Sequence, residues 1–488
     1  MINAAPPTVD EVFLERIERD FARRHLILGL ERDETELHLL VGERTPAAVI
    51  HNVGTCLEVR TRVSIDEGER VARLIDEAYS SRRRSAGLNG ESRAAQTVES
   101  ESAAEHSVTR WLEQADRDLL STQGKGPVIQ LVDAMLFEAL GRGASDVHVQ
   151  PLCDRTIVRY RVDGVLHDVH ELTTEVTHAV VSRIKVMGRM DIAQQRIPQD
   201  GRATVTIGGR GVDLRLSTVP TSYGERAVVR LLDSTQQLCD FERLGMRADV
   251  AAVFLERATQ SNGIILVTGP TGSGKTTTLY STLRRTASPQ QNIMTIEDPI
   301  EYELATVGLA VSQMQVNGKK GITFPTGLRH ILRQDPDVIM VGEIRDAETA
   351  RVAIQSSLTG HLVFSTLHTN DAPSAVTRLV DLGVEPYLVS ASLSAVLAQR
   401  LVRTTHRSCG GKGCEECFGT GLKGRTGLFE LMPLDERLRQ LISVGAPLSE
   451  IRSAARQAGM RTLGEEGQRL VAEGITIPLE VHRVVQVI

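Results

Sequence analysis

Aromatic residues make up only 3% of the chain, and Trp111 is its single tryptophan. So few rings exclude an aromatic platform on which single-stranded bases stack. Surplus positive charge is also missing: 56 Lys and Arg stand against 62 Asp and Glu, a net charge of -6. No global field therefore draws the chain to nucleic acid or acidic lipid, and no nucleic-acid partner is expected. Long apolar runs are absent. A stretch such as Gly263-Ile264-Ile265-Leu266-Val267 falls far short of the roughly 20 residues a membrane span needs. Met1 to Asp20 is acidic without an apolar centre, so no secretory signal is expected there. Six cysteines in 488 residues make no disulfide framework. Cys56, Cys153 and Cys239 are scattered, whereas Cys409, Cys414 and Cys417 cluster, as metal ligands or as plain thiols in a reducing compartment.

What is present is ordinary globular composition, 41% hydrophobic and 24% charged, with length for about two to four domains. Residues 1–79 read as a small α/β domain. Val12, Phe13, Ile17 and Phe21 repeat at helical spacing within Val12 to His25, and Val71 to Tyr79 reads as a second helix. Residues 80–124 are rich in Ser, Glu, Arg, Gly and Ala and read as a flexible polar linker, with one helix near Trp111 to Leu120. The run Arg82-Arg83-Arg84 is a solvated part of that linker or a contact for an acidic surface. Residues 125–240 form a second domain, with a helix over Val128 to Leu140. Alternating strands follow at 146–150, 157–161 and 212–217, with turns at Gly164, Gly201 and Gly208-Gly209. Residues 241–400 alternate apolar strands with helices, as a parallel α/β sheet does. Residues 401–424 are a Cys/Gly-rich excursion, and 425–488 read as mainly helical.

Gly269-Pro270-Thr271-Gly272-Ser273-Gly274-Lys275-Thr276-Thr277 follows a strand at 264–268 and opens a helix. This is the phosphate-loop arrangement. Glycines let backbone N–H groups face phosphate oxygens, Lys275 reaches the β- and γ-phosphates, and the Thr276 hydroxyl ligates Mg²⁺. ATP and Mg²⁺ are thereby expected. Catalysis also needs a carboxylate near the γ-phosphate. One strand ends in Glu297-Asp298, another in Gly342-Glu343 and a third in His368, all at the sheet edge where ligands sit. Glu343 approaches the metal through water or polarises the attacking water, and Glu297 competes as general base. His361 and His368 are candidates of lower specificity.

At these residues the chain resembles the type II/IV secretion traffic ATPases, over about 110–488 and more weakly over 1–79. Gly269–Thr277 is similar to their Walker A loop. Thr295-Ile296-Glu297-Asp298-Pro299-Ile300-Glu301-Tyr302 resembles their Asp box. Arg333-Gln334-Asp335-Pro336-Asp337 through Gly342-Glu343-Ile344-Arg345-Asp346 resembles their atypical Walker B. Thr359-Gly360-His361 through His368-Thr369-Asn370-Asp371 resembles their His box. Ala144 to Pro151, Arg159 to Gly164 and Pro198 to Arg202 stand where the family has a PAS-like domain. The resemblance implies a RecA-like P-loop ATPase core, a PAS-like α/β domain before it and a small extra N-terminal α/β domain. It implies that arginines of the second domain complete the nucleotide site, with Arg202 and Arg215 as candidates and Arg159, Arg161 and Arg226 in reserve. Leu382-Gly383-Val384-Glu385-Pro386 and Leu397-Ala398-Gln399-Arg400-Leu401 look most like the type II secretion branch. That branch implies a cytoplasmic homo-hexamer attached peripherally to the inner membrane. Residues 1–79 would bind the cytoplasmic domain of an inner-membrane secretion protein, and the ring would drive an inner-membrane platform protein to build a pseudopilus.

The cysteine cluster departs from the family's two Cys-x-x-Cys pairs. Only Cys414-Glu415-Glu416-Cys417 is intact, and His406-Arg407-Ser408-Cys409 replaces the other pair. His406, Cys409, Cys414 and Cys417 suit a Cys₃His zinc site, with reduced thiols in a glycine loop as the alternative. Hydrolysis is expected to change the angle between the two large domains about a hinge near 235–245. The alternatives are a type IV pilus extension ATPase, a DNA-handling ring, which the charge and scarce aromatics disfavour, and an ATP-binding scaffold without turnover.

Overall fold

The computed structural model describes residues 9–86 except 18, 34–35, 43–44, 46–48, 51–52, 54–56 and 58, and residues 126–485 except 208–209 and 234–239. The expected helix near Trp111, the linker beyond residue 86 and the first half of the expected hinge lie outside the described residues. The chain forms two compact units, residues 1–100 and 101–488.

In the first unit, strands β1 (Ile27–Arg32), β2 (Glu36–Gly42) and β3 (Arg60–Asp66) form a sheet in that order, with β1/β2 antiparallel and β2/β3 parallel. The expected helix over Val12 to His25 is two helices, Glu11–Arg16 and Arg19–His25, broken at Ile17, whose backbone turns extended. Asp10 caps the first by accepting the N–H groups of Val12 and Phe13. Phe13 and Ile17 are buried against Ile27, Leu28, Leu39 and Ile75. The last helix, Gly68–Ala86, carries residues 80–86 out of the expected linker.

The second unit begins with helix Gly126–Gly141, followed by β4 (Ala144–Pro151), β5 (Thr156–Val162) and β6 (Val165–Leu172). Helix Thr174–Met187 leads to β7 (Gln199–Ile207), β8 (Arg210–Thr221) and β9 (Gly224–Asp233). The six strands form one antiparallel sheet, in the order β6-β5-β4-β9-β8-β7. Its two helices share a core with Val147, Val149, Val158, Tyr160 and Val229. Alternation explains the strands: β5 buries every second residue. Gly201, expected in a turn, lies inside β7. Its Cα faces the Gly188 backbone so closely that an added Cβ would sit 2.4 Å from the Gly188 carbonyl oxygen. Close packing, not a turn, requires glycine there.

The remaining strands form a seven-stranded sheet of β10 (Gly263–Thr268), β11 (Ile293–Glu297), β12 (Val311–Gln315), β13 (Val338–Val341), β14 (Leu362–Leu367), β15 (Leu393–Thr405) and β16 (Leu422–Pro433). The order is β12-β11-β13-β14-β10-β15-β16, with β16 antiparallel to β15 and the other pairs parallel. β10 is buried on both faces, so it reads as an unbroken apolar run. Ile264 and Leu266 face one core cluster, and Ile265 and Val267 face another. The segment after residue 424 is not purely helical. β16 buries Leu428, Phe429 and Met432 and completes the sheet before the C-terminal helices. The Cys/Gly excursion is thus the connection of a β15–β16 hairpin.

Candidate active site

Register brings the strand ends to one edge. Thr268 pairs with Leu367, Val341 with Ser365 and Ile296 with Val341. The phosphate loop, Glu297, Glu343 and His368 therefore emerge side by side around a cavity of about 370 Å³. His361 lies at the other end of β14, where its Nδ1 is 2.9 Å from the Ser356 carbonyl oxygen, away from this edge.

The loop geometry depends on glycine. Gly274 adopts φ 86° as the N-cap of helix Lys275–Thr286. At Gly269 a Cβ would meet the Gln399 carbonyl oxygen at 2.4 Å. Lys275 is buried and donates from Nζ to the carbonyl oxygens of Gly269 (2.8 Å) and Pro270 (3.0 Å). Burial lowers its pKa to about 8; Glu343 opposes the shift and Arg400 adds to it. The buried Ser273 hydroxyl has no hydrogen-bond partner among the described residues. This orphaned polar atom, with Lys275 satisfied only by its own loop, fits a phosphate-bearing ligand. Below the loop, Thr278 Oγ1 donates to Gln399 Oε1 (2.8 Å), and Arg400 donates to the Asn370 carbonyl oxygen (2.7 Å), tying loop to His box.

The two carboxylates stand in different surroundings. Glu343 Oε1 contacts Arg345 NH2 at 2.5 Å, and its Oε2 lies 3.4 Å from His368 Nε2. Arg345 is held more basic by its bond to Glu343. Burial, then the nearby Lys275 charge, lowers the His368 pKa, and Glu343 opposes the shift. Glu297 is deeper, 3% exposed. Its Oε1 accepts from Thr295 Oγ1 (2.6 Å) and Gln313 Nε2 (3.0 Å), and its Oε2 accepts from the Tyr280 hydroxyl. Burial first, then the Glu297 charge, raises the Tyr280 pKa well above its ordinary value and keeps the hydroxyl a donor.

Arg202 pairs directly with Arg215 across β7 and β8, and with Arg189 they line a cavity of about 610 Å³. Its wall includes Glu301 and Tyr302, which also line the nucleotide cavity. Arg215 NH2 is 3.9 Å from Glu301 Oε2. The reserve arginines are engaged elsewhere: Arg159 with Asp168 (2.7 Å), Arg161 with the Gly164 carbonyl oxygen (3.0 Å) and Arg226 with His148 Nδ1 (3.1 Å).

The ligand atoms of His406, Cys409, Cys414 and Cys417 all lie within 4.8 Å of one another. Cys414 Sγ is 3.7 Å from Cys417 Sγ and 3.3 Å from His406 Nδ1, and Cys409 Sγ is 4.0 Å from Cys417 Sγ. A tetrahedron with ~2.3 Å metal–sulfur bonds has edges of about 3.7 Å, so the four atoms fit a zinc ion. His406 Nε2 lies 3.2 Å from Glu416 Oε2, which orients the ring. Burial pushes the Cys417 thiol up, but the N–H groups of Cys414 and Gly421 outweigh it and hold the pKa at about 6, favouring thiolate. Next to this cluster, Phe418 stacks on His167 of the second domain (4.3 Å, 16°), with the Arg142 guanidinium 5.0 Å from its centroid. Asp163 accepts the Gly424 N–H at 2.7 Å and pairs with Arg425 at 3.2 Å.

Tyr280, Gln313, Thr278 and Gln399 were not singled out as site residues by sequence reasoning. Gln399 and Arg400 stood in a branch-specific stretch, the one available signal. Tyr280 lies five positions after Lys275, an aromatic on the helix side that must be buried.

A buried parallel strand, a phosphate loop on a helix N-terminus and strand-end carboxylates facing it define a P-loop ATPase. The chain belongs to the type II/IV secretion system protein family, whose model matches residues 121–483. It is 46% identical over 473 residues to a Pseudomonas aeruginosa protein named type II secretion system protein HxcR, covering 95% of this chain and 97% of that one. It is 47% identical over 394 residues to the type II secretion system ATPase E of Vibrio cholerae, covering 76% and 77%. Among solved structures, the pilus retraction motor PilT with bound ADP is 28% identical with a TM-score of 0.53, covering 72% of this chain and 96% of PilT. The family and fold class expected from the motifs are borne out.

Proposed function

We propose that this chain is the ATP-hydrolysing motor of a type II secretion system. It works as a homo-hexamer at the cytoplasmic face of the inner membrane and drives pseudopilus growth. The observation that carries this reading is 46% identity along 95% of the chain to a type II secretion protein, a coverage that reaches into the first unit. Residues 1–79 bind the cytoplasmic domain of an inner-membrane partner, and the ring works against a platform protein. No helix among the described residues is long and apolar enough to cross a membrane, so attachment through partners suits the chain.

The residues divide the work. Backbone N–H groups of 271–277 receive the phosphates, and Lys275 gives up its two carbonyl partners for the β- and γ-phosphates. Thr276 would hold Mg²⁺, which when bound would supply positive charge against the phosphate oxygens. Glu343 polarises the attacking water. Support for this choice is that three lone pairs of Glu297 are already taken by uncharged donors deeper in the protein, whereas Glu343, on the same cavity, stands beside Arg345 and His368. Glu297 then orders the metal's surroundings. Arg202 and Arg215 stabilise charge developing on the γ-phosphoryl group. His406, Cys409, Cys414 and Cys417 would hold Zn²⁺, and the four ligands together would brace the β15–β16 hairpin.

The test is Mg-ATP hydrolysis per subunit across a wide protein concentration range. A specific rate that climbs with concentration supports sites completed by assembly. A constant, substantial rate would mean a self-contained monomeric enzyme and would overturn the ring.

A further inference from the structure

Gln313 lies on β12, opposite Thr295 of β11. Its amide is committed on both sides. Nε2 donates to Glu297 Oε1 (3.0 Å) and to the Tyr302 carbonyl oxygen (3.1 Å), while Oε1 accepts the Leu304 N–H (2.6 Å). One planar group thus fastens a buried carboxylate of the nucleotide cavity to the 302–304 backbone. That backbone follows Glu301, whose Oε2 lies 3.9 Å from Arg215 NH2 of the second domain. The other oxygen of Glu297 is tied to the same segment by another route: Tyr280, which donates to it, packs edge-on against the Tyr302 ring at 5.9 Å.

We propose that Gln313 is a positioning residue that couples the 301–304 segment, and through it Arg215 of the second domain, to the Glu297 carboxylate. An amide has fixed geometry. Its two N–H bonds and its carbonyl lie in one plane, so displacement of Tyr302 and Leu304 swings Nε2 off Glu297. Movement of the second domain against Glu301 then changes how Glu297 is held, without any contact between Gln313 and nucleotide. The inference rests on the reading that Glu297 and Arg215 serve hydrolysis.

The experiment uses the full chain, with steady-state Mg-ATP kinetics, fluorescent nucleotide binding and thermal unfolding for each variant. Gln313→Met preserves length and removes all three hydrogen bonds. It is expected to lower kcat about 10- to 100-fold, the range for losing one hydrogen bond to a charged group, with KM and nucleotide affinity within about twofold. Gln313→Glu keeps the acceptor for Leu304 but sets a carboxylate against both Glu297 and the Tyr302 carbonyl oxygen. If Gln313 only braces the 302–304 segment, Gln313→Met lowers the melting temperature but leaves kcat within about twofold of native, and the proposal is overturned. If it positions Glu297, Gln313→Glu stays slow at pH 8, and its rate relative to native recovers as the new carboxyl is protonated at lower pH. A double-mutant cycle with Arg215→Ala tests the link to the second domain. The proposal expects the double variant to be no slower than the slower single variant. Two slow single variants whose effects multiply would overturn the link. An Arg215→Ala chain with native kcat would instead reject the role given to Arg215, while the Met and Glu variants still decide the hold on Glu297.

Discussion

Arg345 and His368 hold Glu343 from its two oxygens, Arg345 NH2 at 2.5 Å from Oε1 and His368 Nε2 at 3.4 Å from Oε2. The carboxylate is placed by these neighbours rather than buried by them, and it keeps a side toward the cavity. Glu343→Gln preserves shape and removes the charge that we propose polarises water. We expect nucleotide affinity within a few-fold of native and a kcat lower by at least about 100-fold, about 2.7 kcal/mol of transition-state stabilisation. Single-turnover hydrolysis with separately measured nucleotide binding checks this, and rapid turnover by the variant would remove Glu343 from its role.

Glu297→Gln should behave differently. The carboxylate receives bonds from Tyr280, Thr295 and Gln313 inside the protein, and an amide cannot accept from all three. One donor is left buried and unpaired, at about 1–3 kcal/mol. The expected outcome is a slower enzyme that also melts several degrees lower, whereas Glu343→Gln keeps the native melting temperature. Equal melting temperatures for the two variants would contradict the distinction drawn between the carboxylates.

Lys275 makes nucleotide binding depend on pH. Burial lowers its pKa to about 8 in the free protein from an ordinary value near 10.5. Between those values the unfolded chain binds more protons than the folded one, so this group's contribution to stability rises as pH climbs from about 8 toward 10.5. Nucleotide binding runs the opposite way, because phosphates need the cationic form. ATP affinity should fall above pH 8, and binding at pH 8.5 should take up protons, seen as a dependence of binding heat on buffer ionisation enthalpy. Affinity that is flat from pH 7 to 9 would show that the lysine stays charged throughout.

The nucleotide edge was legible because its chemistry is contiguous. Gly269 to Thr277 carries loop, cation and hydroxyl in nine consecutive positions, and Glu297, Glu343 and His368 each end an apolar strand. Residues that act through register were not legible. Gln313 meets Glu297 only because β12 pairs with β11 in a particular alignment, and Tyr280 meets it only through the packing of a helix on the sheet. β16 was hidden by Gly424 and Gly427, which break the strand pattern. Gly201 was misread for the related reason that a glycine's local signal is a turn, whereas here a neighbouring backbone excludes any side chain. Gly201→Ala should therefore cost about 1–3 kcal/mol, measurable by denaturant unfolding of the second unit, although its position in a strand alone would favour alanine.

Phe418 gives the cysteine loop a contact outside the cluster of His406, Cys409, Cys414 and Cys417. It follows Cys417 directly, stacks on His167 and lies under Arg142, which is itself anchored to buried Glu138 at 3.1 Å. The proposed metal site and the docking on the second domain should therefore be separable. Cys417→Ser should lose both, because a hydroxyl is a poor ligand where a thiolate sits. Phe418→Ala should keep close to one zinc per chain by elemental analysis. It removes a stacked ring and a cation–π contact, together about 1–3 kcal/mol, so the hairpin should be cut faster by trypsin at Arg407, Lys412 and Lys423. Native cleavage rates in Phe418→Ala, with zinc retained, would mean that Asp163 and its bonds to Gly424 and Arg425 hold the hairpin without the ring.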